Sequence, residues 1–576
     1  MSQLISRRSL LGHSLKAGVG LVVLKQLGPI EVVAFSPQAP QQAVRFNAAY
    51  QKLDEFIARH MQETGAPGLT LALASRDRML RVSHYGFADL KAGQRVGPQT
   101  LFQIGSISKS FVGVALLQAA EEGKVDLNKP ISSYLPWVKI DSTFPPITAH
   151  HLLSHTAGLS GVPLLMRVAA TPLRTGWAPG TRFLYSNIGY VLLGYLLETV
   201  DKRPFAESIR KRILEPLDMK STEPIITNSI RERLAIGYAP FHSDKPFPLR
   251  GKIGEAPWTE VAEAAGSVAS TPGDMAAYMR MLLNRGAGPR SRVLSEKSFE
   301  LLIQPAIKAP FRGEDATYGY GLWTSDVNGH QLLRHTGGMV AFSSSMYIDM
   351  TSGFAAFASV NANLHGYRPV TVTRYALDLL NAAIAEQALP PLPPPPPSPE
   401  IVKNAADYVG NYTSADGRNL ILVANGERLM LEHDGQRIVL EQAGRDRFIV
   451  KHPAFDRFAL GFGREGALVV EAFHGADWWI NERYTGPKTF EYPKEWEAYV
   501  GRFNSDSPWY GSTRIVLRKG KLLLDGEAPL AEVEPGSFKF DGNPIGLERV
   551  TFDTIVDGKA IHMNFSGIDS YRTYTP

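Results

Sequence analysis

Two residues suited to acyl-transfer chemistry, Ser106 and Lys109, lie three positions apart at the head of an apolar run. In a helix, positions i and i+3 share one face, so the lysine head can reach the serine hydroxyl. A serine hydroxyl is a poor nucleophile until a base or a neighbouring cation helps to remove its proton. The pair therefore suits acyl transfer. Ser208 and Lys211 have the same spacing, however, and an ordinary helix N-cap is the alternative role for Ser106.

Two further polar segments carry groups that such chemistry would need. Tyr185-Ser186-Asn187 stands in the turn that enters a helix predicted over Phe183–Val200, where a Ser or Asn cap above a packed tyrosine is the structural alternative. His335-Thr336-Gly337-Gly338 lies on one of two adjacent predicted strands. The sequence thus offers three polar segments, each of which also has a purely structural interpretation.

His151 and His155 are one helical turn apart, which is a spacing that zinc ligands use. No Glu follows His151 as a metalloprotease motif requires, and no third ligand is apparent. We therefore favour a structural role for these histidines and for His150. No metal or other cofactor is expected.

In their order and spacing, the three polar segments resemble the three motifs of the penicillin-recognising serine hydrolases, and in particular the class C β-lactamase-like group of D,D-peptidases, D-aminopeptidases and esterases. The motifs are Ser106-Ile107-Ser108-Lys109, Tyr185-Ser186-Asn187 and His335-Thr336-Gly337. Three other segments also resemble that group: His151–Leu159, Gly266–Thr271 and Tyr318–Trp323. The resemblance covers roughly residues 44–387.

The resemblance implies a role for each motif residue. Ser106 attacks the carbonyl and forms an acyl-enzyme, while Tyr185 serves as general base for the serine and as acid for the leaving group. Lys109 either loses its own proton or favours the Tyr185 phenolate, and the sequence leaves that choice open. Asn187 hydrogen-bonds the lysine and the substrate amide. The backbone N–H groups of Ser106 and Gly338 hold the oxyanion.

His335, Thr336 and Gly337 form the motif expected to bind substrate, and His335 departs from the usual pattern. Antibiotic-destroying and cell-wall members of the group usually have lysine there, a permanent cation suited to a substrate carboxylate. A histidine near its reference pKa of about 6.5 is mostly neutral at pH 7. We therefore expect substrates without that carboxylate, including peptides with an amino-terminal D-residue, although His335 as a mere strand brace is the alternative.

These observations predict an exported serine hydrolase that acts through an acyl-enzyme on small peptides, amides or esters, with D-stereospecific peptidase or aminopeptidase activity. Two alternatives stay open. One is a broad carboxylesterase on the same site, and the other is a slowly deacylating protein that binds penicillin or peptidoglycan.

The elements around the motifs predict an α/β (α+β) fold for residues 44–387, with an antiparallel sheet flanked by helices. A helix over Val44–Glu63 precedes strands at Leu69–Ala74 and Met79–Tyr85, and a helix over Thr371–Gln387 closes the domain. Strands follow one another as hairpins at both ends of this region, which favours antiparallel pairing. The serine helix has little polar surface and should be buried centrally.

A proline-rich segment, residues 388–400, follows as a stiff spacer, or alternatively as a ligand for a proline-recognition domain. Beyond it, Tyr408-Val409-Gly410-Asn411-Tyr412 returns as Tyr499-Val500-Gly501-Arg502-Phe503. Alternating strands and tight turns follow each copy, so residues 401–490 and 491–576 are each predicted to form a small antiparallel β-barrel. The layout resembles D-aminopeptidases with lipocalin-like carboxy-terminal domains. A barrel loop that reached the cleft would restrict it to small substrates.

Composition excludes several function classes. The chain of 576 residues has no cysteine, which excludes disulfides, thiolate metal sites and cysteine nucleophiles. Of the net charge of +5, residues 1–34 supply +3, from Arg7, Arg8, Lys16 and Lys25 against Glu31, so the charge does not indicate a nucleic-acid partner. Residues 1–34 resemble a twin-arginine signal peptide, which predicts a periplasmic or secreted protein, and no apolar run is long enough to span a membrane.

Overall fold

A nine-stranded antiparallel sheet forms the centre of the first domain in the computed structural model of the protein, which describes residues 38–161, 173–309, 315–364, 367–542 and 546–573. The helices of this domain are α1 (Gln38–Thr64), α2 (Ser108–Glu121), α3 (Ala149–Leu153), α4 (Asn187–Asp201), α5 (Phe205–Ile209), α6 (Pro272–Leu283), α7 (Glu296–Ile303) and α8 (Val370–Ile384). Its strands are β1 (Gly68–Ser75), β2 (Met79–Asp89), β3 (Gln94–Arg95), β4 (Phe102–Gln103), β5 (Ile140–Asp141), β6 (Leu173–Arg174), β7 (Tyr238–Pro240), β8 (Ile253–Glu255), β9 (Ala269–Ser270), β10 (Ile307–Lys308), β11 (Thr317–Tyr318), β12 (Trp323–Val327), β13 (His330–Gly338), β14 (Ser343–Asp349) and β15 (Phe354–Val360).

The strand order of the main sheet is β10-β11-β12-β13-β14-β15-β1-β2-β3, with every neighbour antiparallel. Helices cover both faces of its centre. Leu69, Leu71 and Leu73 of β1 face the core shared with α1 and α8, whereas Ala72 and Ala74 face the core that contains α2, α4 and α6. Because both faces are covered, β1 is apolar along almost its whole length instead of alternating. The predicted antiparallel sheet flanked by helices is confirmed.

The proline-rich segment lies against the first domain. Leu389 and Leu392 pack on the core between α1 and α8, and the Tyr375 hydroxyl donates a hydrogen bond to the carbonyl of Pro390 at 3.2 Å. The Arg59 guanidinium donates to the carbonyl of Pro393. The segment therefore continues the surface of the domain and holds the start of the next domain at a defined place.

Two closed eight-stranded barrels follow, as the repeated sequence predicts. The strands of the first barrel are β16 (Gly410–Ser414), β17 (Asn419–Asn425), β18 (Arg428–His433), β19 (Gln436–Gly444), β20 (Arg447–Val450), β21 (Leu460–Glu465), β22 (Leu468–His474) and β23 (Asp477–Ile480). Those of the second are β24 (Gly501–Asn504), β25 (Ser512–Arg518), β26 (Lys521–Leu524), β27 (Ala528–Glu534), β28 (Ser537–Phe540), β29 (Val550–Val556), β30 (Lys559–Phe565) and β31 (Ile568–Thr573). The repeated motif supplies equivalent core residues, Tyr408 and Tyr412 in one barrel and Tyr499 and Phe503 in the other.

A hairpin of the first domain, formed by β7, β8 and the residues between them, holds both barrels. Asp244 pairs with Arg514 at 2.6 Å and with Arg502 at 3.0 Å, both in the second barrel. Burial disfavours the Asp244 carboxylate, but the two guanidinium groups outweigh it and keep its pKa below the usual value. Lys245 pairs at 2.5 Å with Asp456 of the first barrel. The hairpin therefore makes polar contacts with both barrels.

The second barrel also reaches the first domain near α4. Glu548 accepts hydrogen bonds from the Ser160 hydroxyl and from the Gly161 backbone N–H, both at 3.2 Å. Within the described ranges, no helix combines the length and the apolar character that crossing a membrane requires. The predicted signal peptide, residues 1–34, lies outside the described residues.

Candidate active site

Ser106 occupies a single 3₁₀ turn, Gly105–Ile107, that runs directly into α2. Neither the turn nor the helix has a side-chain cap, and the Ser106 hydroxyl instead accepts a hydrogen bond from Lys109 Nζ at 3.0 Å. The N-cap alternative for Ser106 is therefore excluded. The turn allows a half-buried serine to stand at the start of a helix that is buried along most of its length.

Lys109 is fully buried and its amine has three acceptors. These are Ser106 Oγ at 3.0 Å, Asn187 Oδ1 at 2.8 Å and the carbonyl oxygen of Ala265 at 2.7 Å. Burial lowers the pKa of Lys109 well below its usual value. A lysine amine that loses its proton more readily, held against a serine hydroxyl, is what activation of that hydroxyl requires.

The Tyr185-Ser186-Asn187 segment forms the entry to α4. Ser186 is the N-cap, because its hydroxyl accepts the Gly189 backbone N–H at 3.3 Å. The capping interpretation is thus correct for Ser186. The residues before and after this cap, Tyr185 and Asn187, carry the functional groups. Asn187 reaches Lys109, and the centroid of the Tyr185 ring lies 4.9 Å from Lys109 Nζ. The structure therefore brings Ser106, Lys109, Tyr185 and Asn187 together.

His155 packs against the entry to α4. The sequence indicated only a general structural role for this residue. It is buried, and its Nδ1 accepts the Ser186 backbone N–H at 3.0 Å. Its ring centroid lies 4.2 Å from that of Tyr185. Burial first, and then the nearby Lys109 and His335, lower its pKa well below the usual value. The ring is a neutral support for the tyrosine, and no cluster of metal ligands is present among the described residues.

Strand β13 brings the His335-Thr336-Gly337-Gly338 segment against the serine turn. Gly337 lies opposite Ser344 of β14, and a Cβ at Gly337 would overlap the carbonyl oxygen of Ile104. Only glycine permits that close approach. Gly338 lines the same pocket as Ser106, and the binding of an oxyanion by their two backbone N–H groups stays a prediction.

His335 lies inside the wall of the site, with only 2% of its surface exposed. Its Nδ1 is 2.7 Å from the carbonyl oxygen of Thr336, and its Nε2 is 3.3 Å from the hydroxyl of Tyr318. These contacts fix the ring between β13 and β11. Thr336, the next residue, is half-buried. Direct contact between His335 and a substrate stays a prediction.

The pocket at the nucleophile is small, with an empty volume of about 290 Å³ including its mouth. It is lined by Ser106, Val261, Glu263, Ala265, Gly266, Gly338, Met339 and Trp509. Trp509 comes from the loop between β24 and β25 of the second barrel, so a barrel loop reaches the cleft, which the sequence alone left open. Sequence reasoning missed Trp509, Glu263 and the Ala265 carbonyl, because no local pattern marks them as neighbours of Ser106.

Comparisons with known proteins agree with this geometry. The Beta-lactamase family model matches residues 53–380. A β-lactamase of Yersinia enterocolitica is 28% identical over 293 residues, which are 49% of this chain and 71% of that protein. The protein flp of Staphylococcus aureus strain MW2 is 26% identical over 357 residues, which are 58% of this chain and 67% of that protein.

The fold is also similar to a solved structure, the octameric penicillin-binding protein homologue from Pyrococcus abyssi. The TM-score is 0.52 with 23% sequence identity, and the match covers 75% of this chain and all of that one. At this identity the likeness concerns the fold alone.

Proposed function

Because the chain belongs to the Beta-lactamase family of serine hydrolases, we propose that it cleaves amide or ester bonds through an acyl-enzyme on Ser106. We propose D-stereospecific peptidase or aminopeptidase activity as its specific reaction. The observation that carries the acyl-enzyme is the buried Lys109 amine, held by hydrogen bonds to Ser106, Asn187 and the Ala265 carbonyl.

In the proposed mechanism, Ser106 Oγ attacks the substrate carbonyl as its proton passes to the Lys109–Tyr185 pair. The two groups titrate as a coupled unit, so the proton belongs to the pair. The backbone N–H groups of Ser106 and Gly338 stabilise the oxyanion, and Tyr185 returns the proton to the leaving group. Water then attacks the acyl-enzyme by the reverse sequence. Asn187 keeps Lys109 in place and donates its amide N–H to the substrate.

Two observations support small substrates without a free carboxylate. Trp509 and the apolar residues beside it line a narrow pocket, which favours a small acyl group. The position at which carboxylate-binding members of the group usually carry lysine holds His335, whose two ring nitrogens already have partners in Thr336 and Tyr318. A short D-aminoacyl amide fits both conditions better than a β-lactam.

Export remains part of this proposal. The likeness of residues 1–34 to a twin-arginine signal supports a periplasmic or secreted enzyme, and the absence of cysteine avoids any need for disulfide formation there. The closed eight-stranded barrels support the likeness to lipocalin-type accessory domains.

Labelling of the protein with a fluorophosphonate, followed by peptide mapping, tests the nucleophile. We expect rapid labelling at Ser106 and none in Ser106→Ala. Ser208→Ala is the matched control, because Ser208 has the same spacing to a lysine but Lys211 pairs with Glu215 instead. Labelling that survives Ser106→Ala would overturn the mechanism.

Turnover of D-alanine p-nitroanilide, its L-enantiomer and p-nitrophenyl acetate then separates the candidate activities. Faster cleavage of the D-anilide than of the L-anilide supports the proposal. Cleavage of the ester alone would favour the carboxylesterase. A stable label with no turnover would favour the slowly deacylating binding protein.

A further inference from the structure

Glu263 lines the same pocket as Ser106, and the proposed mechanism gives it no role. Its Oε2 is buried, and within the described part of the chain it accepts no hydrogen bond. Burial of a carboxylate oxygen without a partner is unfavourable, so such a group is usually completed by a ligand, a water or an ion.

Among the residues that the structure describes, no cationic side chain forms an ion pair with Glu263. The Lys109 amine already has three acceptors, Ser106, Asn187 and the Ala265 carbonyl. Arg231, which lines the adjoining pocket, stacks on the ring of Trp258 with its guanidinium carbon 5.2 Å from the ring centroid. Apart from Ser106, the other residues that line this pocket are apolar, glycine or aromatic. The pocket therefore has one negatively charged lining residue, Glu263, and its other lining residues are uncharged.

We propose that Glu263 binds the free α-ammonium group of the acyl donor while the carbonyl of that residue lies over Ser106. This inference rests on the proposed function and narrows its substrate class to amides and esters with an unblocked amino-terminal residue. An ammonium group supplies the charge and the N–H donors that a carboxylate requires. Trp509 lines the same pocket, and an aromatic ring can attract a cation.

A single carboxylate among apolar residues suits a small ammonium ion better than a metal, which needs several oxygen ligands. No group of metal-ligating side chains is found in the described ranges. A pocket that selects a substrate carboxylate carries a positive charge, whereas this pocket carries a negative one.

The test compares two substrates that differ only in the amino group, D-alanine p-nitroanilide and propionyl p-nitroanilide. In Glu263→Gln we expect kcat/KM for the amino substrate to fall at least about tenfold, mainly through KM, with no change for the propionyl substrate. Glu260→Gln is the control, since Glu260 is exposed on the same loop and Gln keeps the acceptor for the Asn228 backbone N–H. Equal losses on both substrates, or no loss, would overturn the inference.

The pH dependence gives a second readout. The α-ammonium group of an amino-terminal residue titrates near pH 8. We expect the advantage of the amino substrate over the propionyl substrate to fade above about pH 8 in the native protein, and to be small at every pH in Glu263→Gln. An advantage that persists unchanged to high pH would contradict an ionic contact.

Protection from the fluorophosphonate separates this inference from the proposed function. D-alaninamide should protect Ser106 better than propionamide in the native protein, and the difference should disappear in Glu263→Gln. If no anilide is turned over but this protection is seen, the ammonium site stands and the proposed function fails. If D-alanine p-nitroanilide is cleaved equally well by both proteins, the function stands and the ammonium site fails.

Discussion

Among single residues, Lys109 joins separate segments of the structure, and in the proposed mechanism it also helps to activate Ser106. Its amine ties α2 to the entry of α4 through Asn187 and to the loop before β9 through the Ala265 carbonyl. The third contact is with the Ser106 hydroxyl. Because the amine is buried, its proton is held less tightly than in water, which is the condition for accepting the serine proton near neutral pH.

Lys109→Arg tests this view, because an arginine keeps its proton at every accessible pH. For the native protein we expect kcat/KM to rise with pH as the low pKa of Lys109 is passed. The variant should lose about 10²- to 10⁴-fold in kcat/KM at neutral pH and should show no such rise. A pH–rate profile of both proteins gives the answer, and a rise retained in the arginine variant would assign the titration to another group.

The residues of the three motifs could be identified from sequence because their types and order are specific, whereas their neighbours could not. Ala265 contributes only a backbone carbonyl, which any residue would carry. Glu263 is one of many acidic residues, and only the folded chain shows that its Oε2 is buried and that the residue lines the pocket of Ser106. Chemistry that depends on side-chain type is readable in the sequence, and chemistry that depends on three-dimensional position is not.

At the scale of secondary structure, three short segments form the candidate site. They are the serine turn before α2, the entry to α4 and the end of β13. The apolar periodicity predicted α1, α4 and α8 well, with ends displaced by a few residues. The short strands β10 and β11 carry little pattern of their own, because two residues are too few for an alternation to be seen.

A buried histidine on α1 makes this element sensitive to acid. His60 Nε2 lies 2.6 Å from the Tyr367 hydroxyl, and burial, with Arg59 as a smaller cause, lowers the pKa of His60 to about 4. Since the unfolded chain takes up this proton from about pH 6.5, the folded state loses stability as the pH falls from there towards 4.

We expect His60 alone to cost the native protein about 2 kcal/mol of unfolding free energy between pH 7 and pH 5. His60→Gln keeps an acceptor for Tyr367 and cannot take up a proton, so it should remove this part of the pH dependence. Thermal unfolding of both proteins at the two pH values measures the difference. Parallel losses in the two proteins would show that His60 does not contribute.

At the scale of the whole molecule, the second barrel forms part of the active-site cleft, and polar contacts attach both barrels to the first domain. The strands within each barrel were predictable from alternation and tight turns, but their docking was not, since it depends on single residues such as Asp244 with Arg502 and Arg514. The apolar periodicity of the sequence does not predict such a contact. Its result is that Trp509 closes one side of the cleft.

Trp509→Ala should therefore widen the acyl pocket. We expect the ratio of kcat/KM for D-phenylalanine p-nitroanilide to that for D-alanine p-nitroanilide to rise about tenfold, because a larger side chain gains room. Tyr571→Ala, which removes an exposed ring of the same barrel outside the pocket, should leave the ratio unchanged. An unchanged ratio in Trp509→Ala would mean that the tryptophan does not limit substrate size.

The contact between Glu548 and Ser160 joins residues 388 positions apart, and the tryptophan wall comes from the same late part of the chain. A ribosome adds about 5 to 20 residues per second, and the earlier domain of a chain generally folds first. Trp509 follows Gly338 by 171 residues, so the proposed catalytic residues are synthesised roughly 9 to 34 s before their outer wall. The wall that limits substrate size is therefore the last part of the site to be synthesised. A chain that ended before Trp509 would be a hydrolase whose pocket is open on that side.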